Sequence, residues 1–214
     1  MKALTAQKIA LGAAQFGMNY GIANDVGQVS SNEIEAILLL AKEVGIETID
    51  TAFMYGDSEK VLGEMKTDGF NIISKMPTNT PGNNIEKALN KTLDNLKCET
   101  IHGYLFHNSE GLLGKDGDLN YSSLLQEKKR GRIEKIGVSA YESKEVELLL
   151  DRYDLDIIQA PFNIMDRRLI ESNILERVCK TNTELHVRSI FLQGLLLIDK
   201  SSRPVKFNHW KDLW

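Results

Sequence analysis

The chain has 214 residues, 42% of them hydrophobic and 26% charged, with a formal net charge of −4. That is the composition of a globular protein long enough for one sizeable core, and its slight acidity argues against nucleic acid or an anionic membrane as a partner. No apolar run approaches the ~20 residues of a membrane-spanning helix, and the opening "MKALTAQKIALG" lacks an apolar stretch of signal-peptide length. The two cysteines, Cys98 and Cys179, and the four histidines show no metal or redox spacing. The expectation is a cytoplasmic protein whose cysteines are reduced core residues.

Strand-like and helix-like segments alternate along the whole chain. "KIALGAAQFG" reads as a strand running into a glycine-containing loop, and "SSNEIEAILLLAKEVG" as a helix capped by Ser30 or Ser31 and stopped at Gly45. "IETIDTA" is a second strand. Ser58 and Glu59 open the short helix "SEKVLGEMK", with Leu62 on its buried side. "FNIISKM" is a third strand, and "NNIEKALNKTLDNLK" has the helical period at Ile85, Ala88, Leu89, Leu93 and Leu96. Then come strand "IHGYLFHN", helix "YSSLLQEKKRGRI", strand "EKIGVSAY" and helix "SKEVELLLDRY", capped by Ser143. Strand "LDIIQAPFN", helix "RRLIESNILERVCKTN" and a seventh strand within "TELHVRSIFLQGLLL" complete the pattern, and no strand pattern follows Leu197.

No linker or composition break divides the chain, so residues 1–214 are expected to form one domain. Repeated strand–helix units imply parallel strands with helical crossovers, in either an open doubly wound sheet or a closed barrel. Asp50, Lys75, His107, Ser139 and Gln159 fall at or near the C-terminal ends of five different strands. Sites spread in this way are the habit of the (β/α)8 TIM barrel. No GxGxxG follows the first strand, which removes the main support for a dinucleotide-binding open sheet. Seven strands are legible where a barrel needs eight, so the expected fold is an incomplete TIM barrel lacking its last βα unit.

The segments "TIDTAFMYGDSEKVLG", "ISKM", "YLFHN", "KIGVSAY", "IQAPFNIMDRR" and "RSIFLQGLLL" resemble, in that order, the motifs of the aldo-keto reductases. The opening "LGAAQFGMNYGIAN" is similar to a bacterial subgroup associated with surface-sugar metabolism. The resemblance implies NAD(P)H-dependent reduction of an aldehyde or ketone, with NADPH as the expected cofactor and NADH as the alternative. It implies a catalytic tetrad of Tyr55, Lys75, Asp50 and His107. Hydride transfer to a carbonyl creates an alkoxide that needs a proton. Tyr55 would donate it, and Lys75 would lower the phenol's pKa from its usual ~10. Asp50 would keep Lys75 charged, and His107 would orient the carbonyl or help relay the proton.

Each residue also has a plainer reading: Asp50 as a loop cap, Tyr55 as a packed loop aromatic, Lys75 as a solvated strand end, and His107 as a hydrogen-bonded structural histidine. The resemblance further implies that Ser139, Gln159 and Asn163 hold the nicotinamide amide. The usual serine–asparagine pair is here Ser139–Ala140. Leu192, Gln193 and Gly194 match the loop along the pyrophosphate. Ser189 falls where an aromatic would stack on the nicotinamide, with Phe191 as a substitute. The Asp166–Arg168 run reads as ion pairing at a helix start. Phe16, Met18, Phe53, Met54 and the loop "NSEGLLGKDGDLN" are expected to line the mouth. The family's adenosine-gripping segment has no counterpart in these residues. The chain therefore reads as a shortened reductase or, alternatively, as a catalytically impaired barrel serving as a binding or assembly subunit.

Overall fold

Parallel strands need crossovers of a dozen or more residues, and the chain places a helix or a pair of short helices in most of them. The computed structural model describes residues 6–213. In it, strands β1 (Ala10–Gly12), β2 (Thr48–Asp50), β3 (Asn71–Lys75), β4 (Ile101–Phe106), β5 (Ile133–Ser139), β6 (Ile157–Pro161) and β7 (Glu184–Arg188) form one parallel sheet in sequence order. The helices are α1 (Ala14–Gly17), α2 (Ser31–Glu43), α3 (Ser58–Glu64), α4 (Ile85–Leu96), α5 (Glu110–Leu113), α6 (Gly117–Lys129), α7 (Ser143–Arg152), α8 (Arg168–Glu171) and α9 (Ile174–Val178). The sheet curls on itself: the Gln159 amide at the end of β6 donates to Asp50 at the end of β2, across the hollow of the sheet. This is an incomplete (β/α)8 barrel with seven strands among the described residues.

The period-2 alternation of the strands explains both faces. Ile49, Tyr104, Ile136 and Ile158 point outward and are buried against Leu38, Leu62, Leu89 and Leu149 of the surrounding helices. Burying each such side chain contributes about 1.5–3 kcal/mol. The intervening residues point inward. Ile73, Leu105 and Ile157 make a separate apolar cluster inside the curl. Gly103 leaves them room, since a Cβ there would lie 3.0 Å from Ile73 and 3.3 Å from Ile157. This cluster is the floor of the site.

Several local expectations change. Phe16 is a core residue rather than part of the mouth, because residues 14–17 turn into a helix and swing its ring inward. The segment read as a mouth loop after His107 is largely helical, forming α5 and the first turn of α6. The helix expected over 167–182 is broken into α8 and α9 at Asn173, which adopts a left-handed backbone with φ of 59°. Helix α7 is capped at Glu142, not Ser143. The Glu145 carboxylate accepts from the backbone N–H groups of Tyr141 and Glu142, while the Ser143 hydroxyl is buried without a partner. Cys98 is partly buried, but Cys179 is exposed. Gly45 does end α2, just beyond its C-cap, with φ of +83°.

β1 and β7 do not pair with each other among the described residues. Their following loops meet instead: Ala23 N–H donates to the Gln193 carbonyl at 3.2 Å. Gly194, with φ of +87°, is needed there, since a Cβ on it would lie 2.6 Å from that of Ala23.

Candidate active site

Two residues after each floor residue on β3, β4 and β6 comes a polar one: Lys75 after Ile73, His107 after Leu105, Gln159 after Ile157. The same alternation that turns the floor inward therefore aims these side chains at the space above it. Lys75 is 1% exposed. Its ammonium donates to Asp50 Oδ2 at 2.7 Å and to the Thr51 carbonyl at 2.8 Å, so a lysine taken out of water keeps two strong acceptors. Asp50 Oδ1 accepts from Gln159 Nε2. The plain reading of Lys75 as a solvated strand end is wrong, and Asp50 is not merely a loop cap.

Tyr55 stands on the β2–α3 loop. Its ring centroid is 5.1 Å from Lys75 Nζ, and the His107 ring meets it edge-on with centroids 5.9 Å apart. That loop is pinned by close backbone approach. A Cβ on Gly17 would lie 2.0 Å from the Tyr55 carbonyl oxygen, and one on Gly56 (φ +59°) 2.3 Å from that of Gly17. Ser58 and Glu59, which open α3, are buried fasteners. The Ser58 hydroxyl donates to the Ala13 carbonyl at 2.7 Å, and its oxygen lies 2.9 Å from the Thr51 hydroxyl. The Glu59 carboxylate accepts from the Ser74 hydroxyl and the Asn95 amide at 2.6 and 2.9 Å. Ser74 faces outward to this helix while its neighbour Lys75 faces the site.

The electrostatics correct one expectation. The phenol's pKa is raised overall rather than lowered. Burial, then the Asp50 carboxylate and Tyr20, push the Tyr55 hydroxyl well above its ordinary range, and the Arg188 guanidinium opposes them only in part. Desolvation of the phenolate is the largest influence, and it prevails over the neighbouring positive charge. Burial, helped by the charges of Lys75 and Arg188, lowers the pKa of His107. Its ring is therefore neutral at pH 7, and its Nδ1 is buried without a hydrogen-bond partner.

Ser139 and Gln159 are both buried and pair in register on β5 and β6. Gln159 Oε1 is buried with no partner, an unused acceptor suited to an amide N–H such as that of a nicotinamide carboxamide. Asn163 is differently employed: its Oδ1 accepts from the Met165 and Asp166 backbones, and its Nδ2 donates to the Ser189 carbonyl. It organises a turn. Leu192, Gln193 and Gly194 are three successive residues with positive φ in the loop that meets Ala23. Phe191 is exposed and lines an open apolar groove of about 800 Å³ with Phe162, Ile170 and Leu197. Arg168 pairs with Asp166 and Glu142, as expected of a helix start.

One residue at the mouth escaped the sequence reading. Arg188, the last residue of β7, lays its guanidinium 4.1 Å over the Tyr141 ring and donates from Nη2 to the Ala140 carbonyl at 3.1 Å. The signal was an arginine closing an inward-facing strand register, but nothing local marks it.

The described residues contain no cluster of three or more potential metal ligands and no helix long and apolar enough to cross a membrane. An aldo-keto reductase of Mycobacterium tuberculosis (strain ATCC 25618 / H37Rv) is 28% identical over 132 residues, covering 59% of this chain and 46% of that protein. The chain thus spans about half the length of the curated relatives it matches. Among solved structures, the holo form of aldo-keto reductase AKR11C1 from Bacillus halodurans matches with a TM-score of 0.74 and 20% identity, over 92% of this chain and 65% of that one. The glycerol dehydrogenase AKR11B4 from Gluconobacter oxydans matches with a TM-score of 0.70 and 23% identity, over 93% and 65% respectively. These two likenesses carry the fold alone. The family model described as "Aldo/keto reductase family" matches residues 8–213, and by that match over nearly its whole length the chain belongs to the aldo/keto reductase family.

Proposed function

We propose that this chain is an NAD(P)H-dependent carbonyl reductase acting on a small aldehyde or ketone in the cytoplasm. The observation that carries the reading is the assembly of Asp50, Lys75, Tyr55 and His107 above the Ile73–Leu105–Ile157 floor. The dinucleotide, when bound, supplies a hydride. Ser139 and the free Gln159 oxygen would hold its carboxamide, and residues 192–194 would lie along its phosphates. Tyr55, protonated at neutral pH, gives its proton to the new alkoxide, which is far more basic than a phenolate, so the transfer runs downhill. The ammonium of Lys75, fixed by Asp50, stands beside the ring and stabilises the phenolate left behind. His107, neutral and with an unused ring nitrogen, orients the carbonyl oxygen. A sugar-derived carbonyl compound is the substrate class that the opening motif suggests.

The test is titration of the purified chain with NADPH and NADH by fluorescence, followed by cofactor oxidation against a panel of aldehydes. Tyr55→Phe is expected to lower turnover at least ~100-fold, the scale of a general acid's contribution, with cofactor affinity changed less than about threefold. Reduction at the parental rate by that variant excludes Tyr55 as the acid. If the chain binds neither nucleotide, the binding-subunit reading takes its place.

A further inference from the structure

The site assembled around Tyr55 holds one cation that nothing in it balances. Lys75 is neutralised by Asp50, and Tyr55 and His107 are uncharged at neutral pH, but no carboxylate among the described residues forms an ion pair with Arg188. The register fixes where this cation stands. Gln159 pairs with His186; Gln159 faces the interior, so Arg188, two residues beyond His186, is on the same face and one pleat nearer the mouth. Its half-buried side chain is fixed by the Tyr141 ring beneath it and the Ala140 carbonyl at Nη2, yet its Nε is buried with no partner. The carboxylates whose pKa values feel its charge, Glu145 and Asp166, are committed elsewhere. Glu145 accepts from Ser109 and two backbone N–H groups, and Asp166 is forked by Arg168. Its charge also enters the pKa values of Tyr55 and His107, the groups proposed to receive the carbonyl.

A guanidinium held flat, with donor capacity unspent and no counter-charge, is the arrangement that recognises a planar oxyanion. Resting on the carbonyl-reductase reading, we propose that Arg188 binds a carboxylate carried by the substrate, so that the favoured substrates are oxo acids rather than neutral aldehydes or ketones. The carbonyl would lie toward Tyr55 and His107, and the carboxylate toward the end of β7. No new covalent step is involved; Arg188 selects and orients.

The primary measurement needs neither cofactor nor turnover; NADPH binding and carbonyl reduction enter only to separate the two readings. The full chain is titrated calorimetrically with matched product-type pairs, lactate with lactamide and 4-(hydroxymethyl)benzoate with 4-(hydroxymethyl)benzamide. At least one acid is expected to bind about tenfold or more tightly than its amide, the size of one charge-assisted contact. Arg188→Met is expected to bring that ratio to within about twofold, and Arg188→Lys to retain only part of it. Equal binding of acid and amide by the unaltered chain, or binding of neither, overturns the proposal without requiring any variant to fold. So does an Arg188→Met chain that weakens NADPH but keeps the acid preference, which would assign the cation to a dinucleotide phosphate. If the acid preference holds but neither aldehydes nor oxo acids are reduced, the reductase reading fails while the carboxylate site at Arg188 stands. If neutral aldehydes are reduced with no acid preference, the reverse is true.

Discussion

His107 is the residue whose chemistry can be read from solution most directly. Its pKa is lowered, first by burial and then by the positive charge of Lys75, with Asp50 opposing and Arg188 assisting. An unfolded histidine titrates near ~6.5. Above that pH both states carry a neutral ring, and His107 contributes no pH dependence. As pH falls through ~6.5 the unfolded chain takes up a proton that the folded one refuses, so stability is lost toward acid. Urea denaturation of the parent and His107→Gln between about pH 8 and about pH 5 should show the parent losing ground to the variant only below ~6.5. The slope for one proton is at most ~1.4 kcal/mol per pH unit. A difference between the two that is flat with pH would mean that the ring titrates alike in the folded and unfolded chain. The identity of His107 as a strand-end polar residue was legible in "YLFHN", but its neutrality was not, because the charges that set it come from β2, β3 and β7. The same holds for Tyr55, where the resemblance implied an acidified phenol and burial, with the Asp50 charge, raises it instead.

At the scale of the element, strands and most helices were legible because their signal is local. Short strand-like runs such as "FNIISKM" and the 3.6-residue period of α4 need no distant partner to be recognised. What failed needed context. Asn173 tolerates a left-handed backbone and so splits one helical pattern into α8 and α9. Ser58 and Glu59 were legible as a helix start, but not as fasteners, because their partners Ala13, Ser74 and Asn95 lie on three other segments. Helix α4 offers a test of the backbone argument. It ends at Lys97, which is exposed and held at φ of 54° and ψ of 41°. A lysine there is strained where glycine is not. Lys97→Gly should therefore raise the urea midpoint, corresponding to about 0.5–1 kcal/mol, with no change in slope. An unchanged or lower midpoint would mean that relief of strain is outweighed by the glycine's freedom in the unfolded chain.

For the whole molecule, the incomplete ring was legible as a count of seven strands, because the chain turns helical and irregular where an eighth would be expected. Its energetic consequence lies in the hydrogen-bond ladder. Among the described residues, strands β2 to β6 are bonded on both sides, whereas β1 and β7 each have a strand partner on one side, and the loops after them meet at Ala23 and Gln193. Native-state hydrogen exchange should rank accordingly, with amides of β3–β5 opening only near the global unfolding free energy and those of β1 and β7 well below it. Uniform protection across all seven strands would require a closed ladder. The amide that Gln159 extends to Asp50 then acquires a second meaning. It is a crossbar whose length sets how far the two flanks of the curl can part. Any flattening of the sheet must snap it, unloading the carboxylate that steadies Lys75, so the shape of the shell and the charge balance at its mouth cannot be lost separately.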